Sequence, residues 1–413
     1  MVADDGESWV FEDRRIFVNG LAQAIFPEEN RPGPWDELAW SQIPPSCFDP
    51  AVRVEAMNVH HELAAVLFPN QVGFCGSLFQ NAQDKDLALL CIRAYNDWII
   101  EEWMEAYPGR FVALGLVPLW DGMAAAAEAE RVIARGAKGI TFSMAPDKVG
   151  FASLTDESWT PLFAVLNEAG VPMCTHVGTA TAKADPNGGG AVDFQRMIEQ
   201  AKADDEENGG TLSERLAELP QDVKDALSNG DFSRFMRSIT PMDIQLGGAG
   251  ASLTGAKSGR ATIDHWMKSG IFARFPRLRL ALSECGIGWI PSALSFADWQ
   301  ERMRRQHLRY TGESARWANF GSDERLPSEI FRAHILGCFV QEPVTRELVE
   351  TLGEGNIAIE TDYPHIATNW PHSLRMAEEC FDDDVPEETR YKVMRGNAER
   401  FFNFVPAEPP VAV

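Results

Sequence analysis

Seven short runs rich in β-branched and aromatic residues recur along the 413-residue chain, and helical stretches separate them. Strands that alternate with helices in this way indicate a parallel sheet with helices packed outside it. The order therefore predicts an α/β fold with a closed parallel sheet, one strand short of a (β/α)8 TIM barrel. The seven expected strands cover residues 64–69, 111–118, 138–143, 171–176, 278–283, 335–340 and 357–361.

The segments between these runs carry helical signals. Residues 87–107 have apolar side chains at a 3.6-residue spacing, residues 123–135 are rich in alanine, and residues 161–169 begin with a proline in the first turn. No linker divides the chain, so we expect residues 1–413 to form one barrel domain. Within it, residues 180–260 are rich in glycine and acidic residues, and they follow the fifth barrel strand as a long insert. A loop this long between barrel strands is usually functional or disordered. We expect it to be partly helical over 212–228 and to act as a lid or as a subunit contact.

Composition excludes several functions. A formal net charge of −24 disfavours nucleic acid and anionic membranes as partners, because both would repel this chain. No apolar run approaches the length that spans a bilayer. Seven cysteines without a CxxC pair fit reduced thiols better than a disulfide framework. We therefore expect a cytoplasmic protein that acts on a small molecule.

Polar side chains follow several of the expected strands, at the end of the barrel where such enzymes hold their catalytic groups. The run NIAIETDYPH delivers Asp362 and His365, and two other runs end at His176 and Glu284. Carboxylates and an imidazole that converge there would form a site for zinc, manganese or iron. By the same rule, we expect the substrate pocket to be lined by Asn70, Trp120 and Ser143, which would bind substrate.

Four ordered motifs resemble those of the amidohydrolase-related family, which is typified by 2-amino-3-carboxymuconate semialdehyde decarboxylase. They are CTHVGT at 174–179, FPRLRLALSECGIGWIP at 275–291, GCF at 337–339 and IETDYPH at 359–365. The resemblance implies a (β/α)8 barrel that binds a divalent metal. It also implies that His176 and Asp362 are metal ligands.

The chain departs from the family pattern at two places. Glu284 occupies the position where the family's metal-dependent decarboxylases carry a histidine, and a glutamate there can act as a general base or hold a second metal ion. The family's first strand supplies an acid-x-His ligand pair, whereas Asp4 and Asp5 are followed here by Gly6. By this comparison the first barrel strand is expected to be missing or divergent. Three explanations stay open: a shortened version of a longer product, a partner or insert that fills the gap, or loss of catalysis.

The resemblance implies a metal-dependent hydrolase or a non-oxidative decarboxylase that acts on a carboxylated or carbonyl-containing small molecule. In that reading Glu284, Asp362 and His365 are catalytic, and His176, Asp362 and Glu284 bind the metal. One alternative is an oxygen-activating dinuclear iron or manganese monooxygenase of the same fold. The other is a non-catalytic barrel subunit of a heteromeric enzyme. An incomplete barrel exposes a strand edge, so we expect a homo-oligomer or a paired paralogous subunit.

Overall fold

A computed structural model describes most of the chain outside the acidic insert. The described residues are 9–12, 14–16, 18–19, 25–26, 37–177, 179, 221, 259–311, 324–365, 368 and 370–408. The expected helix at 212–228 lies outside them apart from residue 221, and so does nearly all of the insert. None of the helices within these ranges is both long enough and apolar enough to cross a bilayer.

A seven-stranded parallel sheet forms the centre of the larger of two compact units, which comprises residues 45–182, 251–363 and 367–413. Each strand pairs with the next one along the chain, so spatial order equals chain order, and the sheet curls into a half-barrel. The strands are β5 (Ala65–Leu67), β6 (Phe111–Gly115), β7 (Gly139–Thr141), β8 (Met173–His176), β9 (Leu280–Ser283), β10 (Ile335–Phe339) and β11 (Ile357–Ile359). All seven lie inside the runs predicted from sequence. The TIM-barrel prediction is confirmed.

The prediction that the first barrel strand is missing is also confirmed for the part of the chain that the structure describes. β5 and β11 are the two edge strands of the sheet. The earlier strands pair elsewhere in the smaller unit, which includes residues 1–44. There β1 (Trp9–Phe11) runs antiparallel to β2 (Arg14–Ile16), and β3 (Val18–Asn19) runs antiparallel to β4 (Glu37–Leu38).

Helices follow the strands in the expected alternation. Asp84 and Asp121 cap two of them, since each carboxylate accepts hydrogen bonds from amides of the first turn. The helix predicted at 87–107 is an α-helix that continues as a π-helical segment, Ile99–Glu105. A second π-helical segment is Lys392–Gly396. The α-helices are Pro50–Val59, Ser77–Gln80, Lys85–Trp98, Gly122–Ala134, Thr160–Ala169, 259–268, Ile271–Arg274, Ile290–Thr311, Pro327–His334, Arg346–Leu352, Ser373–Glu379, Glu387–Tyr391 and Asn397–Phe402.

Two apolar clusters cover the two faces of the sheet, because successive side chains of a strand point to opposite faces. The larger cluster packs one face against the surrounding helices. On the other face, which we call the inner face, Phe401 and Phe402 pack against strand residues that include Cys174, Ala281 and Ala358. The next residues on this face, two positions further along their strands, are polar. They are His176, Ser283 and Glu360.

Candidate active site

His176 ends β8 and is almost fully buried, with 6% of its surface exposed. Its Nδ1 lies 2.8 Å from the Val177 carbonyl oxygen, and since a carbonyl only accepts, the proton of a neutral ring resides on Nδ1. The Nε2 lone pair therefore faces the site, where it lies 3.3 Å from Glu284 Oε2. This is the arrangement of a histidine prepared to bind a metal or to accept a proton.

An aromatic residue fixes the ring of His176. Phe74 stacks on the imidazole with ring centroids 3.7 Å apart, and Phe68 meets it edge-on at 5.1 Å. Phe74 is held in a tight loop after β5 in which Gly73 and Gly76 both have positive φ angles, of 79° and 69°. Glycine adopts this left-handed conformation without a steric penalty. The loop thus restricts the imidazole to one orientation.

Two acidic residues occupy left-handed backbone conformations directly after their strands. Glu284 follows β9 with φ 55°, and Asp362 lies just beyond β11 with φ 52°. A non-glycine residue in this region costs on the order of 1–3 kcal/mol and persists only where its surroundings hold it. Such positions concentrate at functional sites. The backbone of both residues is therefore set by tertiary contacts rather than by local preference.

Burial and neighbouring negative charges raise the pKa values of Glu284 and Glu360. The pKa of Glu284 is raised to about 10, first by burial and then by a hydrogen bond with Asp362 and by the negative charges of Asp362 and Glu360. Burial also raises the pKa of Glu360 to about 8. Buried carboxylates are stabilised by a bound cation, which replaces the lost solvation. The cluster therefore fits a divalent metal ion.

Ligand atoms converge in the same place. One atom from each of Glu284, Asp362 and His365 lies within 4.8 Å of those of the other two. Two carboxylates and an imidazole suit zinc, manganese or iron. His176 borders this group through Glu284. The structure thus brings together all four residues that the sequence assigned to catalysis or to the metal.

A buried arginine, Arg53, holds the turn after Asp362. Arg53 is 7% exposed, donates from a terminal guanidinium nitrogen to the Tyr363 carbonyl oxygen at 3.3 Å, and lies 3.9 Å above the Tyr363 ring. Burial lowers the pKa of Arg53. The Tyr363 hydroxyl and Ser46 Oγ are hydrogen-bonded at 2.7 Å. These contacts fix the backbone immediately beyond Asp362.

The three side chains predicted to contact substrate lie in different settings. Asn70 is exposed after β5, and Trp120 is half-buried with Lys85 Nζ 4.8 Å above its ring. Ser143 is buried, and its hydroxyl donates to the Thr179 carbonyl oxygen at 2.8 Å. A substrate contact for these residues stays a prediction.

Sequence reasoning assigned no role to Glu360 or Glu342. Glu360 lies inside the expected strand at 357–361, where the sequence predicts a buried run. It is nevertheless in register with Ala358 on the inner face, and its Oε1 accepts a hydrogen bond from the Glu284 amide at 2.5 Å. The two-residue period of the strand carried this signal. Glu342 follows β10, and its contacts are described below.

A half-barrel of parallel strands with acids and histidines at the carboxyl ends defines a class of protein, the metal-dependent barrel enzymes. The family model described as Amidohydrolase matches residues 34–404. The chain belongs to the amidohydrolase family, as its motifs predicted.

Solved structures share this fold at low sequence identity. An amidohydrolase from Mycobacterium avium subsp. paratuberculosis K-10 is 21% identical, with a TM-score of 0.61 over 100% of this chain and 91% of that one. A manganese-containing 5-carboxyvanillate decarboxylase from Novosphingobium aromaticivorans is 19% identical, with a TM-score of 0.57 over 86% and 80%. A 2,6-dihydroxybenzoate decarboxylase from Rhizobium is 19% identical, with a TM-score of 0.53 over 85% and 87%. A search of curated proteins found no match.

Proposed function

We propose that this chain is a metal-dependent non-oxidative decarboxylase or hydrolase that acts on a carboxylated or carbonyl-containing small molecule. The observation that carries the proposal is the convergence of Glu284, Asp362 and His365 beside His176 at the carboxyl ends of the strands. The arene-carboxylate decarboxylases that share the fold, one of them with bound manganese, support the first of these activities and make manganese the first metal to test.

The residues have distinct roles in this proposal. Asp362 and His365 would hold the cation together with Glu284 or His176, and the cation would supply Lewis-acid polarisation of a substrate oxygen. In decarboxylation, the bond to the carboxylate carbon breaks, its electron pair stays on the substrate carbon, and carbon dioxide leaves. That carbon must then take a proton, and Glu284 is the nearby carboxyl group that can carry one. In hydrolysis, Glu284 or His176 would instead accept a proton from the attacking water.

Elemental analysis and a substrate panel test the proposal. We expect purified protein to hold near-stoichiometric divalent metal, and Asp362→Ala and His176→Ala variants to lose most of it. A panel of hydroxylated arene carboxylates, assayed for carbon dioxide release, and of esters and amides, assayed for acid release, then separates decarboxylation from hydrolysis. Folded protein that takes up no metal at millimolar manganese or zinc would refute the proposal and favour a non-catalytic subunit.

The carboxylate at Glu284 favours a second candidate, the oxygen-activating dinuclear enzyme. Three carboxyl groups in one cluster can hold more than one cation, since bridging carboxylates neutralise two adjacent charges. Metal stoichiometry decides between the two. Two iron or manganese ions per chain with substrate-dependent oxygen consumption would favour the monooxygenase, and one ion per chain without it would exclude it.

A further inference from the structure

The loop that carries Glu284 is held by a carboxylate from the neighbouring strand connection. Glu342 lies beyond β10, and its Oε2 accepts hydrogen bonds from the Ile287 amide at 3.0 Å and from the Gly288 amide at 2.8 Å. Both amides lie in the turn that precedes the helix Ile290–Thr311, so Glu342 satisfies two backbone donors of this turn. Charge-assisted bonds of this kind are stronger than neutral ones.

The loop is shaped to admit this carboxylate. Gly286 has a φ angle of 68°, and a Cβ atom at this position would lie 2.2 Å from Glu342 Oε1. Only glycine leaves the space and also adopts the angle without strain. The far side of the loop is held as well, since Trp289 Nε1 donates to the Cys285 carbonyl oxygen at 2.7 Å. The segment between Glu284 and the helix is therefore fixed from both sides.

Glu284 itself begins this segment. Its amide donates to Glu360, and the loop amides held by Glu342 follow three and four residues later. Because its backbone is left-handed, Glu284 relies on these two anchors to keep its carboxylate beside Asp362.

We infer that Glu342 is a positioning residue for the active site, which holds the Glu284 carboxylate in the metal-binding geometry by fixing the Ile287 and Gly288 amides. The inference rests on the proposed function, because it concerns the same site. Glu342 acts through the loop and not by touching substrate. Groups that orient metal ligands typically change metal affinity by about 10- to 100-fold when removed.

A matched control distinguishes positioning from simple stabilisation. Asp298 likewise binds the backbone of a different element, because its carboxylate accepts from the Ser328 amide at 2.9 Å and from the Ser328 hydroxyl at 2.8 Å. It has no described contact with the carboxyl cluster. Glu342→Ala and Asp298→Ala should therefore lower the unfolding temperature to a similar extent, and only the first should disturb the site.

The experiment is a cobalt(II) titration of the full chain followed by its electronic absorption spectrum. We expect Glu342→Ala to raise the cobalt Kd about 10- to 100-fold and to change the visible absorption bands. Asp298→Ala should have the Kd and bands of the wild type. Glu342→Gln should have a Kd between those of the wild type and Glu342→Ala. Equal effects of the two alanine variants, or no effect of either, would overturn the inference.

Hydrogen exchange on metal-free protein keeps the test independent of metal binding. The peptide that spans residues 283–289 should exchange faster in Glu342→Ala than in Asp298→Ala. If wild-type protein takes up no cobalt, the proposed function fails, and this exchange alone decides whether Glu342 holds the loop. Unchanged exchange in Glu342→Ala would refute the inference in either case.

Discussion

The inner face of the sheet changes from apolar to polar within two residues along β8, β9 and β11. Its lower part, where Cys174, Ala281 and Ala358 pack against Phe401 and Phe402, is apolar and closely packed. Its upper part presents instead a histidine, a serine and a glutamate. The same two-residue alternation that places apolar side chains in the core also places the polar side chains on the inner face. The lower part stabilises the barrel, whereas the upper part holds carboxyl groups whose burial costs free energy.

The largest expected effect comes from a substitution in the polar, upper part of the site. Asp362→Ala should abolish stoichiometric metal binding and lower any activity by about 10²- to 10⁴-fold, since it removes a ligand and a partner of Glu284. Metal analysis and turnover of the best substrate measure this. Retained metal and activity in this variant would mean that the cluster is not the active site.

The next largest effect comes from a substitution in the apolar, lower part, and it lowers stability. Phe402→Ala removes a side chain that is 7% exposed and should cost about 3–5 kcal/mol of unfolding free energy through lost burial and a residual cavity. Urea unfolding measures it. The metal Kd of the folded fraction should stay near wild type, and a large change in it would show that the two parts are not separable.

A smaller effect follows from the raised pKa values. Burial raises the pKa of Glu284 to about 10 and that of Glu360 to about 8, above the value of 4.5 expected for an unfolded glutamate. Between pH 4.5 and about 8 the folded state therefore binds more protons than the unfolded state, so metal-free protein loses stability as pH rises through this window. Glu360→Gln should flatten the decline in urea unfolding measured with a chelator at pH 5, 7 and 9. A stability that rises over this range would contradict the assignment.

The smallest effects distinguish a residue that stabilises the fold from one that is predicted to bind substrate. Ser143→Ala should cost about 1 kcal/mol of stability, because it deletes a buried hydrogen bond to the Thr179 carbonyl oxygen. Asn70→Ala should leave stability within about 0.5 kcal/mol, because the side chain is exposed. If Asn70 lines the pocket, its loss raises KM with little change in kcat. An unchanged KM would remove Asn70 from the site.

Local pattern was sufficient for the fold and for part of the site. β-rich runs and intervening helices gave all seven strands in their correct order, since burial and period are properties of contiguous residues. His176, Glu284 and Asp362 could be proposed from sequence because they end an expected strand or directly follow one. The role of Glu342 was not predictable, because it depends on amides that are distant in sequence and on the space that Gly286 leaves.

The contact between Gly286 and Glu342 has a consequence for how sequences of this kind diverge. The glycine admits the carboxylate, and the carboxylate satisfies the amides that the glycine's turn leaves open. A larger residue at 286 would displace the acid, and a shorter residue at 342 would leave the turn unsupported. The two positions should therefore be inherited as a pair, and a relative that has lost one of them should have lost the other.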